Sequence, residues 1–139
     1  MEYLHKVQYY ETDKMGVVHH SNYIRWFEEA RTEFLAYIGL PYDRLENEGI
    51  MSPVVAVECG YERPARFGDT VKVDVRLSEV GNVRITFDYV IYDKETGERR
   101  VAGKSRHCFT NMDGAVISLK RERPELFKML LEANDSGPL

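Results

Sequence analysis

The sequence predicts an α+β fold, one long helix set against an antiparallel sheet, and three observations carry that prediction. Residues 21–38 repeat their apolar side chains at three- and four-residue steps. Residues 50–118 carry strand signals broken by turn residues, and an aromatic-rich segment at 3–10 precedes the helix. No repeat, low-complexity tract or linker interrupts the chain, so one domain spanning 1–139 is expected, with a frayed tail from about residue 133.

The elements follow in order. Residues 3–10, YLHKVQYY, read as a first strand, and a polar stretch from Glu11 to Gly16 follows. In the helix, Tyr23, Phe27, Ala30, Phe34 and Ile38 form the apolar stripe, widened by Ile24 and Leu35. Ser21 is the expected N-cap, and Gly39 followed by Pro41 ends the helix. A short helical segment is expected at 42–48, then strands near 50–63, 69–80, 83–93 and 98–111 and a short one at 115–118. Gly81-Asn82, Thr96-Gly97 and Asp113-Gly114 mark the turns, the last as a two-residue hairpin. Val71, Val73, Val75 and Leu77 alternate with Lys72, Asp74, Arg76 and Ser78, which gives that strand one buried and one wet face. Pro124 opens a C-terminal helix with Leu126, Phe127, Leu130 and Leu131 as its apolar side. One helix cannot cover both faces of such a sheet, so the sheet is expected to curve around it and to pair with another copy of the chain.

With 43% apolar and 30% charged residues the chain is globular. Its net charge of −4 argues against a nucleic-acid partner, since phosphate affinity comes from clustered Lys and Arg. Cys59 and Cys108 have no CxxC or metal-ligand spacing and read as free thiols of a reducing cytosol. The N-terminus lacks an apolar signal region, and no run approaches the ~20 apolar residues of a membrane span, so a cytoplasmic protein is expected.

Chemistry concentrates in Tyr9 to Tyr23, where two acids and two histidines feed a helix start. A helix N-terminus has unpaired N–H groups and partial positive charge, which suit the oxyanion that develops when a thioester carbonyl is attacked. A nearby carboxylate can attack or activate water. Gly16 permits a positive φ or a close backbone approach. Taken alone, Asp13 reads as an acidic turn cap before it reads as a catalyst, and Tyr23 is equally a core residue. Adjacent His19 and His20 cannot both face one metal, no further ligands accompany them, and no metal site is expected. Neither cysteine has an activating neighbour in the sequence, and no G-x-S-x-G elbow is present.

The run Tyr9 or Tyr10, Glu11, Thr12, Asp13, Gly16, Val17, Val18, His20 and Tyr23, continued by Trp26-Phe27-Glu28-Glu29-Ala30-Arg31, resembles the signature of the 4-hydroxybenzoyl-CoA thioesterase branch of hotdog proteins, in particular its YbgC-type members. The resemblance extends to about residue 131. It implies a hotdog fold, with a curved antiparallel sheet around a central helix, and hydrolysis of a small or medium acyl-CoA. It implies further that Asp13 is the catalytic nucleophile or general base and that the His20 N–H is the oxyanion donor, the His20 side chain being a second candidate for orienting substrate or water. Gly16 would let the backbone approach the substrate, Tyr23 and Glu28 would line the acyl end and Arg84 the nucleotide end, with Arg63, Arg66, Lys104 and Arg106 as less specific basic positions. No cofactor is implied, because coenzyme A is part of the substrate. The implied partners are the acyl-CoA, a dimer or a tetramer made as a dimer of dimers, and an acyl carrier protein as another donor. A non-catalytic acyl-CoA or carrier-protein binding module and a hotdog dehydratase are the rival readings. His19 stands where many relatives carry an aromatic, a departure that bears on pocket shape.

Overall fold

The computed structural model describes residues 1–137. Five strands, β1 (Glu2–Lys6), β2 (Val54–Tyr61), β3 (Thr70–Val80), β4 (Arg84–Asp93) and β5 (Arg99–Cys108), form one antiparallel sheet in the order β1-β3-β4-β5-β2. The helix α1 (Ser21–Tyr37) lies on one face, followed by α2 (Tyr42–Asn47); α3 (Leu119–Glu122) and α4 (Pro124–Ala133) close the chain. This is the expected α+β architecture of a helix against a sheet.

The alternation in β3 does what the sequence says. Val71, Val73, Val75 and Leu77 are buried, and the intervening Lys72, Asp74, Arg76 and Ser78 are half-buried on the outer face. α1 buries Tyr23, Trp26, Phe27, Ala30, Phe34 and Leu35. Phe27 stacks on Tyr89 with centroids 4.3 Å apart, and Phe34 meets Phe87 edge-on at 5.8 Å. The close seat of Phe27 depends on Gly103 of β5, where a Cβ would lie 2.6 Å from the Phe27 ring. The helix ends in a Schellman motif: the Leu40 N–H donates to Leu35 O, the Gly39 N–H donates to Ala36 O, and Gly39 takes a φ of +90°.

Several boundaries differ from the sequence reading, β2 and β5 being shorter than expected. β1 stops at Lys6, and Tyr9–Glu11 form a 3₁₀ turn because the Glu11 carboxylate turns back to accept the Gln8 N–H at 2.7 Å. Tyr9 and Tyr10 are consequently exposed rather than strand residues. Ser21 is inside the helix, not its cap; the residue before the first turn is His20, and the His19 ring bonds the Ser21 hydroxyl at 2.8 Å. The segment 115–118 makes a single bridge, Thr110 to Val116, instead of a strand. Its loop has three residues rather than two, because Asn111 Oδ1 accepts from the N–H groups of Asp113 and Ala115 and Gly114 takes a φ of +84°. The tail expected to fray is tied to β3 as far as residue 137, with the Asp135 N–H donating to Leu77 O at 2.8 Å; residues 138–139 lie outside those described.

β2 forms one edge of the sheet, and its apolar side chains are largely uncovered. Val54 and Val55 are each 51% exposed, Val57 40% and Tyr61 48%. Bare apolar strand edges invite pairing.

Candidate active site

The Asp13 loop is a small hairpin in its own right. The Asp13 N–H donates to Val17 O at 2.8 Å, the Gly16 N–H donates to Asp13 O at 3.0 Å, and Thr12 bridges Val18. Gly16 carries a φ of +76° with open space where a Cβ would stand, so the turn needs glycine for its backbone angle and not for close approach. Asp13 Oδ1 accepts the Met15 N–H at 2.8 Å. The turn-cap role therefore occupies one carboxylate oxygen, and Oδ2 has no partner among the described residues.

Glu11 anchors this loop to the helix. It is 5% exposed, and its carboxylate accepts from Gln8 N–H, from His5 Nε2 at 2.8 Å and from Trp26 Nε1 at 2.7 Å. Burial pushes the Glu11 pKa up, but these three donors outweigh it and hold the carboxyl below its ordinary value. The Glu11 carbonyl accepts the His19 N–H at 2.8 Å and the Asn22 side-chain amide at 2.9 Å. The motif contained Glu11, but only its contact with Gln8 is local; the His5 and Trp26 contacts, from β1 and α1, are not legible from spacing.

At the helix start the donors sort cleanly. The His19 N–H goes to Glu11 O, the Ser21 N–H to His19 Nδ1 and the Asn22 N–H to His19 O. The His20 N–H alone of these four has no acceptor among the described residues. The His20 side chain is exposed and bonds no strand; its carbonyl does so instead, accepting the Tyr61 hydroxyl at 3.1 Å. The Tyr61 pKa is pushed up to about 12 by burial and by Cys59, which keeps that hydroxyl protonated as a donor.

Asp13, His20 and Tyr23 line one cavity of about 260 Å³, with Tyr61, Arg63 and Pro64 on the opposite wall. Tyr23 is 3% exposed, and its hydroxyl accepts the Ala65 N–H at 3.0 Å, so it serves the cavity as a fixed wall. Arg63 is exposed at the rim and lies 3.6 Å from Glu98.

Glu28 and Arg84 are not brought to this cavity. Glu28 is exposed beside Arg31, Tyr42, Met51 and Val54 in a separate hollow of about 270 Å³. Arg84 lines a third, of about 660 Å³, with Val55, Ser78, Glu79 and Arg106. β2 explains the separation: Val54 pairs with His107 and Tyr61 with Val101, while Arg84 pairs with Cys108. Seven residues of strand, about 23 Å at 3.3 Å each, thus divide the Arg84 end of the sheet from the Tyr61 end. Lys104 and Arg106 lie on the outer face in ion pairs with Asp88 and Glu58. Burial pushes the Cys59 thiol up, so it is no activated nucleophile. Among the described residues no three His, Cys, Asp or Glu side chains cluster as a metal site, and no helix is long and apolar enough to cross a membrane.

A buried polar chain escaped the sequence reading. Arg31, 7% exposed, donates from Nη1 to the Tyr89 hydroxyl at 2.9 Å and from Nε to Tyr42 at 3.3 Å. Because arginine only donates, Tyr89 passes its own proton to Ser105 Oγ at 2.6 Å, and Ser105 donates to His107 Nε2 at 2.8 Å. His107 Nδ1–H then donates to Ser52 O at 3.2 Å. Burial first, then the Arg31 charge, lowers the His107 pKa to about 4, in keeping with this neutral tautomer. The readable signals were a charge on the apolar stripe of α1 and polar residues at inward positions of β5.

A helix set against a five-stranded antiparallel sheet is the hotdog fold of thioesterases. The chain belongs to the thioesterase-like superfamily, whose family model matches residues 7–133, and it is a thioester hydrolase by class. It is 34% identical over 121 residues to YneP of Bacillus subtilis (strain 168), covering 86% of this chain and 87% of that protein. It is 29% identical over 90 residues to the acyl-CoA thioester hydrolase YbgC of Escherichia coli O6:H1, covering 65% and 67%. The crystal structure of DHNA-CoA thioesterase from Staphylococcus aureus superposes with a TM-score of 0.89 at 30% identity, covering 94% of this chain and 88% of that one.

Proposed function

We propose that the chain hydrolyses a small or medium acyl-CoA to the free acid and CoA in the cavity shared by Asp13 and His20. The observation that carries this reading is the His20 N–H, left without an acceptor on the same cavity as a carboxylate with one free oxygen. The thioester oxygen binds the His20 N–H, which stabilises the negative charge that grows on it. Asp13 then takes a proton from water as the water attacks the carbonyl carbon, or attacks that carbon itself to give a mixed anhydride that water cleaves. In either case the C–S bond breaks and the CoA thiolate leaves and is protonated. No cofactor enters the scheme.

In this reading the bare edge of β2 pairs antiparallel with that of a second copy about a two-fold axis. Such pairing sets the Val54 end of one copy beside the Tyr61 end of the other. Glu28 and Arg84 of the second copy then approach this Asp13, Glu28 toward the acyl group and Arg84 toward the CoA phosphates. A dimer of dimers is the next level of assembly, and an acyl carrier protein, which presents the same thioester, is a second donor. The compartment is the cytoplasm, where Cys59 and Cys108 stay reduced.

The test is release of free CoA, read with a thiol reagent across short, long and aryl-CoA thioesters, for the wild type and Asp13→Asn. Asparagine keeps an oxygen for the Met15 N–H, so the variant folds, and turnover is expected to vanish. Full activity in Asp13→Asn would sink the mechanism. Tight acyl-CoA binding by the wild type with no CoA released would make the protein a binding module instead.

A further inference from the structure

Arg31 is a buried charge without a counter-ion. It lies within 4.0 Å of no carboxylate among the described residues, and its two acceptors, Tyr42 and Tyr89, are neutral phenols. Burying a guanidinium is costly unless an anion compensates it. Nη2 makes no hydrogen bond among the described residues, so the guanidinium keeps N–H donors for an anion such as a carboxylate. The phenols, and through Tyr89 the chain to His107, fix the guanidinium in place.

Two hollows meet at Arg31. One, of about 270 Å³, is formed with Tyr42, Ile50, Met51 and Pro53; the other, of about 330 Å³, with Ile24, Phe27 and Val57; both share Glu28 and Val54. Together they make an apolar trough along the seam of α1 and β2 with one cationic group in it. Glu28 and Glu46 are exposed at its rim, where water and salt screen them. Within one chain the trough shares no lining residue with the Asp13 cavity; in the proposed dimer the trough that meets Asp13 is the second copy's, carried there with its Val54 and Glu28.

We propose that this trough binds the acyl part of the substrate and that Arg31 selects acyl groups ending in a carboxylate. The substrate assignment rests on the thioesterase reading above; the carboxylate site does not. The shared chemistry is an acidic oxygen on an otherwise apolar acyl group.

The experiment compares kcat/KM for ω-carboxyacyl-CoA thioesters of rising chain length with unsubstituted thioesters of equal length, and with hydroxyaryl-CoA thioesters, for the wild type, Arg31→Lys and Arg31→Met. A preference of at least about tenfold for the carboxyacyl series at one length is expected in the wild type, the scale of a charge-assisted bidentate pair. The ratio should collapse toward one in Arg31→Met and fall partway in Arg31→Lys, which keeps the charge but loses the fork. No preference at any length in the wild type overturns the proposal, as does a preference that survives Arg31→Met. A preference for hydroxyaryl over carboxyacyl thioesters also overturns it. Because Arg31→Met can loosen the Tyr89 chain, glutarate binding to the wild type is titrated by calorimetry, with Glu28→Gln as a second variant. If Glu28 is the counter-ion, Glu28→Gln creates glutarate binding that the wild type lacks, and the proposal fails. If no thioester is cleaved but glutarate still binds and Arg31→Lys weakens it, the thioesterase reading falls and the carboxylate site stands.

Discussion

The start of α1 and its middle both gather polar side chains, but they leave them in opposite states. At the start, the His20 N–H and one oxygen of Asp13 have no partner among the described residues, and both residues line an open cavity. In the middle, Tyr89, Ser105 and His107 form an unbroken buried chain in which the direction of every proton is fixed by Arg31 at one end and the Ser52 carbonyl at the other. The proposed catalysis uses polarity that folding has left free, because only a free donor can bind an oxyanion. Stability uses polarity that folding has paired, because an unpaired buried group costs about 1–3 kcal/mol. The two regions should therefore respond to mutation in opposite currencies, activity at the start and stability in the middle.

Asp13→Asn is the strongest way to break that contrast. It should lower kcat/KM by about 10³-fold or more, about 4 kcal/mol of barrier, while the thermal midpoint moves by no more than a degree or two. A large fall in the midpoint would show the carboxylate to be structural. Glu11→Ala sharpens the contrast, because Glu11 sits at the helix start yet is fully paired. Leaving Trp26 Nε1, the Gln8 N–H and His5 without their acceptor should cost about 3 kcal/mol in urea unfolding, far more than an exposed loop residue.

The pH dependence separates the regions again. The folded-state pKa of His107, about 4, lies below the ordinary 6.5, so the unfolded chain binds the extra proton more tightly. Stability should be flat above about pH 6.5 and fall as pH drops toward 4, by about 3 kcal/mol in all. His107→Gln should flatten that slope in denaturant midpoints measured between these limits. Glu11, whose folded pKa is depressed, has the same sign but acts lower, losing its contribution as pH falls below the ordinary carboxylate value. Tyr89→Phe should cost about 2 kcal/mol, since it strands the Nη1 of Arg31 and the hydroxyl of Ser105. The smallest effect belongs to exposed Arg84, where Ala should raise KM for CoA thioesters by about two- to fivefold at low salt and less at high salt, with stability unmoved.

Much of the start region was legible because its parts are contiguous. Asp13, Gly16, His20 and Tyr23 fall within one short run, and the run itself carries the family resemblance. The turn-cap reading of Asp13 holds as far as it goes: one oxygen caps the turn, and the other has no partner among the described residues. The middle region was illegible as a unit. Arg31, Tyr89 and His107 come from α1, β4 and β5, and no spacing rule links them. Single oddities, such as an arginine on an apolar stripe or a histidine at an inward strand position, were visible, but not their partners. Glu28 and Arg84 mark another limit: one chain keeps both away from the Asp13 cavity, and residue spacing says nothing of what a second copy could bring there.

By itself the sequence determined the element order, the inward faces of α1 and β3, and the site loop, because these depend on periodicity and on local backbone chemistry. Only the tertiary structure decided which carboxylate is locked and which is open, that Tyr23 spends its hydroxyl on Ala65, and that Arg31 is buried without an anion. Each of these depends on distance between segments far apart in the chain, and hydrogen bonds formed across such distances leave no trace in the spacing of residues.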